Sequence, residues 1–395
     1  MMIQGHFFEE GKKLKYGMVG GGPGSFIGPV HRAAIAMNGQ AQIVAGSFSP
    51  IFEETLMTAK ELGISEDRAY KSFEEMAEKE AQRDDGIDFV SITVPNYLHY
   101  KVAKAFLEKG INVVCEKPLC FTIEEAEELM DLAAKNDVEF MVTYTYTGYP
   151  MVREARELVR KNILGDIRLI IAEYPQGWLA EPIEKEGQTQ ASWRTDPKYA
   201  GISNCVGDIG THIENLAHFI TNLEITSLSA RLETFVEGRR LDDNAFILLK
   251  YENNASGSYW PSQVAIGNEN GLKIRIYGTK GSLEWEQEHP NFLKLSLIGE
   301  PLKILSRGND YLSESAQMYT RLPSGHPEGY FEAFANLYRS FCNKLSAKKT
   351  GEKSDELFPT VIDGARGVKF VHDCVKSSNK GGEWIDASFK IGGED

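Results

Sequence analysis

A cluster of glycines near the start of the chain constrains its fold most. Leu14 to Val19 is an apolar run that reads as a buried strand. Gly20-Gly21-Gly22-Pro23-Gly24-Ser25-Phe26-Ile27-Gly28 follows at once, and Val30 to Met37 reads as a helix. Strand, glycine loop and helix in that order open a dinucleotide-binding fold. Glycines suit the loop because the backbone must turn tightly and approach a pyrophosphate without a Cβ. The helix start then offers free N–H groups and a partial positive charge to the anion. Gly20 and Gly22 fit the first two fingerprint positions, but Ser25 stands at the third and Gly28 comes three residues late. Two readings follow: a cofactor cradle of Gly20, Gly22, Gly24, Ser25, Phe26 and Ile27, or a flexible connection. The flanking strand and helix favour the cradle.

The rhythm continues. Gln42 to Ser47 reads as a second strand, at whose end such folds often place an acid for the adenosine ribose. Ser47 stands there instead, and no Lys or Arg follows closely to hold a 2′-phosphate. NAD is therefore the expected cofactor, with NADP as the alternative. Glu53 to Leu62 reads as a helix, and Ile87 to Val94 as a strand stopped by Pro95, with Asn96 placed to cap the next helix, Tyr97 to Lys109. His99 is either a helix-face histidine or a cofactor contact. Ile111 to Cys115 is an apolar, β-branched run that ends in Glu116-Lys117-Pro118. A strand covered on both faces would deliver Lys117 to the carboxyl edge of a parallel sheet, where ligands gather. A helix at Ile123–Lys135 and a strand at Glu139–Tyr144 complete a doubly wound α/β domain over residues 1–148.

After Tyr149 strands dominate: 167–174, 225–236, 245–251, 256–262, 272–277 and 282–285, joined by turns such as Glu252-Asn253-Asn254. They predict a second α/β domain over 149–395, built on a large, mainly antiparallel open sheet. Helices at 329–344 and 359–375 are expected to pack at the domain junction. The connection from Pro175 to Ile202, with Trp178, Trp193 and Arg194, reads as a binding loop or as an ordinary surface excursion.

Within Gly207 to Ile220, a helical projection puts Ile209, Ile213, Leu216 and Ile220 on one stripe and Asp208, His212 and Asn215 on its flank. A carboxylate beside an imidazole at a cleft rim can tune a histidine for proton transfer. The alternative is that Asp208 stabilises the first helical turn and His212 is a satisfied, half-buried histidine.

Composition narrows the function classes. A net charge of −14, with no offsetting basic patch, argues against nucleic acid or anionic membrane as a partner. The five cysteines are odd in number and form no CxxC pair. Reduced thiols in a cytoplasm are expected, and neither disulfide nor metal. Met1 to Lys15 lacks an apolar core of signal-peptide length, and no segment runs to the ~18 apolar residues of a membrane span.

The glycine loop, Pro95-Asn96, Glu116-Lys117-Pro118 and Asp208-Ile209-Gly210-Thr211-His212 follow one another in an order that resembles the Gfo/Idh/MocA oxidoreductase family across nearly the whole chain. The resemblance implies a Rossmann domain followed by an α/β domain that builds homodimers or homotetramers. It also implies NAD(P)-dependent oxidation or reduction of sugars and polyols. It makes Lys117 the substrate-orienting, proton-sharing lysine, His212 the general base and Asp208 its partner or a substrate ligand. Ser47, Pro95, Asn96, His99 and Glu116 fall on the cofactor side, as does Lys117 in addition to its substrate role. Two positions depart from the family pattern: Asn215 stands where an acid is frequent, and Tyr144-Thr145-Tyr146-Thr147-Gly148-Tyr149 where a basic residue is frequent. The hydroxyls there, with Tyr146 as a substrate contact, suit a neutral polyol. Trp193-Arg194-Thr195-Asp196-Pro197 resembles the subgroup of scyllo-inositol, L-glucose and levoglucosan dehydrogenases, which places Trp193 and Arg194 at the substrate. An NAD-dependent glycosidase and a non-catalytic sugar sensor on the same fold are the rival expectations. A mere sensor has no need of Lys117, Asp208 and His212 together.

Overall fold

The computed structural model describes residues 13–390, so residues 1–12 of the amino-terminal stretch discussed above lie outside it. The chain divides into two units: residues through Gly148 together with Tyr330–Ala365, and Tyr149–Gly329 together with the chain from Arg366.

In the first unit, strands β1 (Leu14–Gly20), β2 (Ala41–Ser47), β3 (Phe89–Thr93), β4 (Asn112–Cys115) and β5 (Phe140–Val142) form one parallel sheet in the order β2-β1-β3-β4-β5. Helices α1 (Ile27–Asn38), α2 (Phe52–Glu61), α3 (Phe73–Ala81), α4 (His99–Leu107) and α5 (Ile123–Lys135) alternate with them. Every residue of β3 is buried, as a central strand covered on both faces requires. Local chemistry starts the helices. Thr122 Oγ1 accepts from Glu125 N at 3.1 Å while Glu125 Oε2 accepts from Thr122 N at 3.3 Å, a reciprocal cap on α5. Ser72 caps α3, a helix with no counterpart in the sequence reading. The strand order reverses between β1 and β3, which makes the carboxyl ends of those strands the topological switch point.

In the second unit, helices α6 (Pro150–Arg160), α7 (Thr189–Arg194), α8 (Pro197–Ala200), α9 (Thr211–Thr221) and α10 (Glu314–Met318) accompany a nine-stranded sheet. Its strands are β6 (Ile167–Pro175), β7 (Ile225–Glu233), β8 (Asn244–Tyr251), β9 (Ser256–Ser262), β10 (Lys273–Gly278), β11 (Gly281–Glu286), β12 (Phe292–Leu297), β13 (Lys303–Ser306) and β14 (Ile385–Asp386). The order is β13-β12-β11-β10-β6-β9-β8-β7-β14, and only β6 and β9 run parallel. The mainly antiparallel sheet expected from the sequence is therefore present, enlarged by β12, β13 and β14.

Two long helices, α11 (Tyr330–Thr350) and α12 (Val361–Asn379), follow, and the division between units falls within α12. A second domain running unbroken from 149 to 395 thus needs correcting, since Tyr330–Ala365 belongs with the first unit. Apolar packing is the cause. Phe334, Leu337, Tyr338 and Phe341 of α11 are buried in one cluster with Val30, Ala34 and Ile35 of α1. Each large side chain so buried contributes about 1.5–3 kcal/mol. Among the described residues no helix is long and apolar enough to cross a membrane.

Candidate active site

In the first unit the candidate residues gather at the carboxyl edge of the parallel sheet. Gly20 and Gly21 turn the chain out of β1 with φ of 83° and 77°, values that favour glycine. Gly22 N donates to Phe48 O at 3.1 Å, and a Cβ on Gly22 would sit 2.8 Å from that oxygen, so the loop lies flush against the end of β2. Gly28, late by sequence count, is inside the first turn of α1, where a Cβ would come 2.3 Å from Gly21 Cα. It performs the close helix–loop packing of the third fingerprint glycine, at the end of a longer loop. Ser25 Oγ accepts from Gly28 N at 3.2 Å, and Arg32 Nη1 donates to Gly21 O at 2.9 Å. Gly24 faces open space, Phe26 is 70% exposed and Ile27 begins α1. The first turn of α1 carries no acid. A glycine cradle at a switch point, ahead of a helix start without negative charge, fits the pyrophosphate of a dinucleotide. Ser47, the last residue of β2, is buried beside Val19.

The neighbouring strand ends carry the remaining candidate residues of this unit. Pro95 leads into a 3₁₀ turn, Asn96–Leu98, and Asn96 makes no capping bond to α4; the turn does the work that the sequence reading gave to its side chain. His99 is fully buried, with Nδ1 2.7 Å from Pro118 O and Nε2 2.9 Å from Val94 O. Both ring nitrogens thus face backbone carbonyls, and the ring ties the end of β3 to the loop after β4. Burial pushes its pKa down, against the pull of those carbonyls and of Glu116.

Register sets what lies beside Lys117. Ile92 pairs with Cys115, and Cys115 with Val142, so Glu116 and Thr143 leave adjacent strands side by side. Glu116 Oε1 accepts from Thr143 Oγ1 at 2.5 Å and from His31 Nε2 at 2.9 Å. Burial, the largest single effect on Glu116, raises its pKa. The hydrogen bonds from His31 and Thr143, with the charges of His31 and Lys117, outweigh it and hold the carboxyl below its ordinary value. Tyr146 is buried in the 3₁₀ turn Thr145–Gly148.

A second group of candidate residues lies in the other unit. Val206–Gly210 is a π-helical turn, and α9 begins only at Thr211. The continuous helix expected from the sequence is thus replaced by two registers, because i→i+5 bonding puts Asp208 outside the α spacing of His212 and Asn215. Nor do those two line an open rim: they are 8% and 2% exposed, since α9 packs between α6 and the sheet. The His212 ring meets Tyr174 edge-on at 6.2 Å. Asp208 Oδ2 accepts from Gln263 Nε2 at 2.9 Å and from Arg194 Nε at 3.3 Å. The Arg194 guanidinium stacks 4.1 Å from the Trp193 ring and lies 5.8 Å from that of Trp178.

Three residues outside the sequence reading hold this group in place. Asp242, buried, accepts from Asn204 N at 3.0 Å, Val206 N at 2.9 Å and Ser203 Oγ at 3.0 Å, and so anchors the entry to the π turn. Burial pushes its pKa up despite those bonds. Gln263 joins Asn204 Nδ2, at 2.7 Å, to Asp208. Arg239 grips the 175–202 connection through Leu179 O at 2.5 Å, Glu181 O at 2.9 Å and Glu184 Oε1 at 3.0 Å. The connection is therefore a folded, anchored segment carrying α7 and α8. A sequence signal existed for Asp242 alone, as the first of two acids heading a strand.

Known proteins resemble both units. Residues 14–144 match the family model described as the oxidoreductase family, NAD-binding Rossmann fold. Residues 152–284 match that of the GFO/IDH/MocA C-terminal domain. The oxidoreductase YfiI of Bacillus subtilis (strain 168) is 36% identical over 381 residues, 95% of this chain and 97% of that protein. Levoglucosan dehydrogenase of Pseudarthrobacter phenanthrenivorans is 27% identical over 313 residues, 73% of this chain and 77% of that enzyme. A solved structure, the inositol dehydrogenase homolog of Azotobacter vinelandii complexed with NADH and myo-inositol, superposes with a TM-score of 0.88 at 38% identity, covering 95% of this chain and 98% of that one.

Proposed function

The chain belongs to the Gfo/Idh/MocA oxidoreductase family, and on that premise we propose that it is an NAD-dependent dehydrogenase of a neutral polyol or sugar, in the class of inositols and anhydrosugars. The observation that carries the reading is the likeness, along nearly the whole chain, to a homolog whose structure holds NADH and myo-inositol. Gly20, Gly21, Gly22 and the start of α1 hold the pyrophosphate. Bound NAD supplies the hydride acceptor. Loss of a hydride from a secondary alcohol requires loss of the hydroxyl proton, and His212 is the base that takes it, a role that contributes ~10² to 10⁴ in rate. Lys117 hydrogen-bonds the substrate oxygen and lowers the cost of its developing negative charge. Asp208, held by Gln263 and Arg194, presents a fixed acceptor to a substrate hydroxyl, and Trp193, Arg194 and Tyr146 complete the polyol contacts.

Five free, buried cysteines support a reducing, cytoplasmic setting. Phe246 and Leu248, 54% and 51% exposed on one face of β8, support a homo-oligomer assembled through the nine-stranded sheet. Lys117→Ala tests the assignment: turnover is expected to vanish while NAD binding persists. Normal turnover in that variant contradicts it.

A further inference from the structure

Behind Lys117 the first unit buries three polar side chains to which the reaction above gives no part. His31 on α1, Ser91 on β3 and Tyr338 on α11 are 0%, 0% and 1% exposed. Polar groups in such surroundings are costly unless each finds a hydrogen bond. Here the bonds run in a line. Ser91 Oγ lies 3.0 Å from the Tyr338 hydroxyl and 3.2 Å from His31 Nδ1. The Tyr338 hydroxyl lies 2.6 Å from His31 Nδ1, and His31 Nε2 lies 2.9 Å from Glu116 Oε1.

The proton positions follow from the carboxylate end of the line. An ionised carboxylate only accepts, so Nε2 carries the imidazole proton. Nδ1 then accepts, and the shorter of its two contacts, 2.6 Å against 3.2 Å, makes the Tyr338 hydroxyl rather than Ser91 its donor, with the phenol oxygen accepting from Ser91 in turn. Burial raises the Tyr338 pKa well above its ordinary value, which keeps the phenol protonated and able to donate. All the donors therefore point one way, toward the carboxylate of the residue that precedes Lys117. Thr143 reaches the same oxygen from β5's end.

We propose that Ser91, Tyr338 and His31 form a one-way hydrogen-bond chain that fixes the Glu116 carboxylate and, through it, the position of Lys117, making His31 a positioning residue for that lysine. The inference rests on the reading of Lys117 given above. Removing the chain loosens the Glu116 carboxylate next to Lys117, and a misplacement of that lysine on the order of 1 Å costs ~10² in rate.

The test has one arm without activity. In protein labelled with ¹⁵N-histidine, with His31 assigned by its loss in His31→Gln, mildly alkaline solution should show the neutral Nε2–H tautomer. Tyr338→Phe should shift the Nδ1 resonance by removing its donor. An Nδ1–H tautomer in the wild type, or an Nδ1 resonance unmoved in Tyr338→Phe, overturns the chain. In the kinetic arm, His31→Leu should lower kcat by roughly 10- to 100-fold with KM and NAD affinity little changed. His31→Gln, which keeps an N–H for Glu116, should recover most of that loss. Equal loss in two variants that both melt as the wild type does overturns the positioning role. Normal turnover of Lys117→Ala together with the expected tautomer overturns the lysine assignment while leaving the hydrogen bonds standing, so the two failures are separable.

Discussion

Replacing Gly28 by alanine probes the cofactor cradle through a contact that no side chain can relieve. The added Cβ would lie 2.3 Å from Gly21 Cα and 3.2 Å from Gly21 C and O, all backbone atoms. Carbon atoms in contact prefer about 3.5–4.0 Å, so the start of α1 and the glycine loop must part by more than about 1 Å. Overpacking of this kind costs about 1–3 kcal/mol. If the displacement falls on the loop, that cost appears in cofactor binding, where each 1.4 kcal/mol is about tenfold in Kd. NAD titration by calorimetry should therefore show Kd raised roughly tenfold or more. The ligand-free melting temperature should fall by several degrees, at about 2–4 °C per kcal/mol for a unit of this size. Gly24→Ala is the control. It faces open space, so only the strain of its φ of 76° enters, about 1–2 kcal/mol. If Gly28→Ala binds NAD as tightly as the wild type, the packing role of Gly28 is refuted.

Glu116 also gives a stability prediction with a definite sign. Its folded pKa lies below the unfolded one, so the folded state binds fewer protons and gains stability as pH rises. That contribution is complete above the ordinary glutamate range of about 4.3 and is lost as pH falls through it and then through the lowered folded value. Glu116→Gln should therefore be less stable than the wild type near neutrality and approach it in acid; denaturant melts giving a constant gap across that window contradict the prediction. Arg194→Lys keeps the charge but loses the planar stack on Trp193, so KM for the polyol should rise roughly tenfold with NAD affinity unchanged. An unchanged KM removes Arg194 from the substrate side.

The parts of this molecule that are legible in its sequence are those governed by near neighbours. Ile111 to Cys115 reads as a buried strand because its own residues are apolar and β-branched, and α5 reads to the residue because Thr122 and Glu125 cap it locally. The same logic was available for α3, whose Ser72 and Glu75 stand at capping spacing, and for β12, where Leu293 and Leu295 alternate with more polar positions. What stays hidden depends on contacts between distant residues or on backbone register. Gly28 looks misplaced until α1 is seen against Gly21. The π turn carrying Asp208 has no residue pattern that distinguishes it from one more turn of α9. His31 lies 85 residues from Glu116 and 307 from Tyr338, so no spacing rule could join them. Helix α11 returns to the first unit for the same reason: its partners on α1 are remote in sequence.

Net hydride transfer from a neutral polyol to NAD can be followed by incubating the purified protein with NAD or NADP. A panel of inositols, aldoses, anhydrosugars and glycosides would be offered, and both reduced cofactor and released sugar followed. Net reduced NAD is expected with at least one inositol or anhydrosugar, with less reduction of NADP. Glycoside cleavage without net reduction of either cofactor would contradict that expectation and make the protein a cofactor-dependent glycosidase.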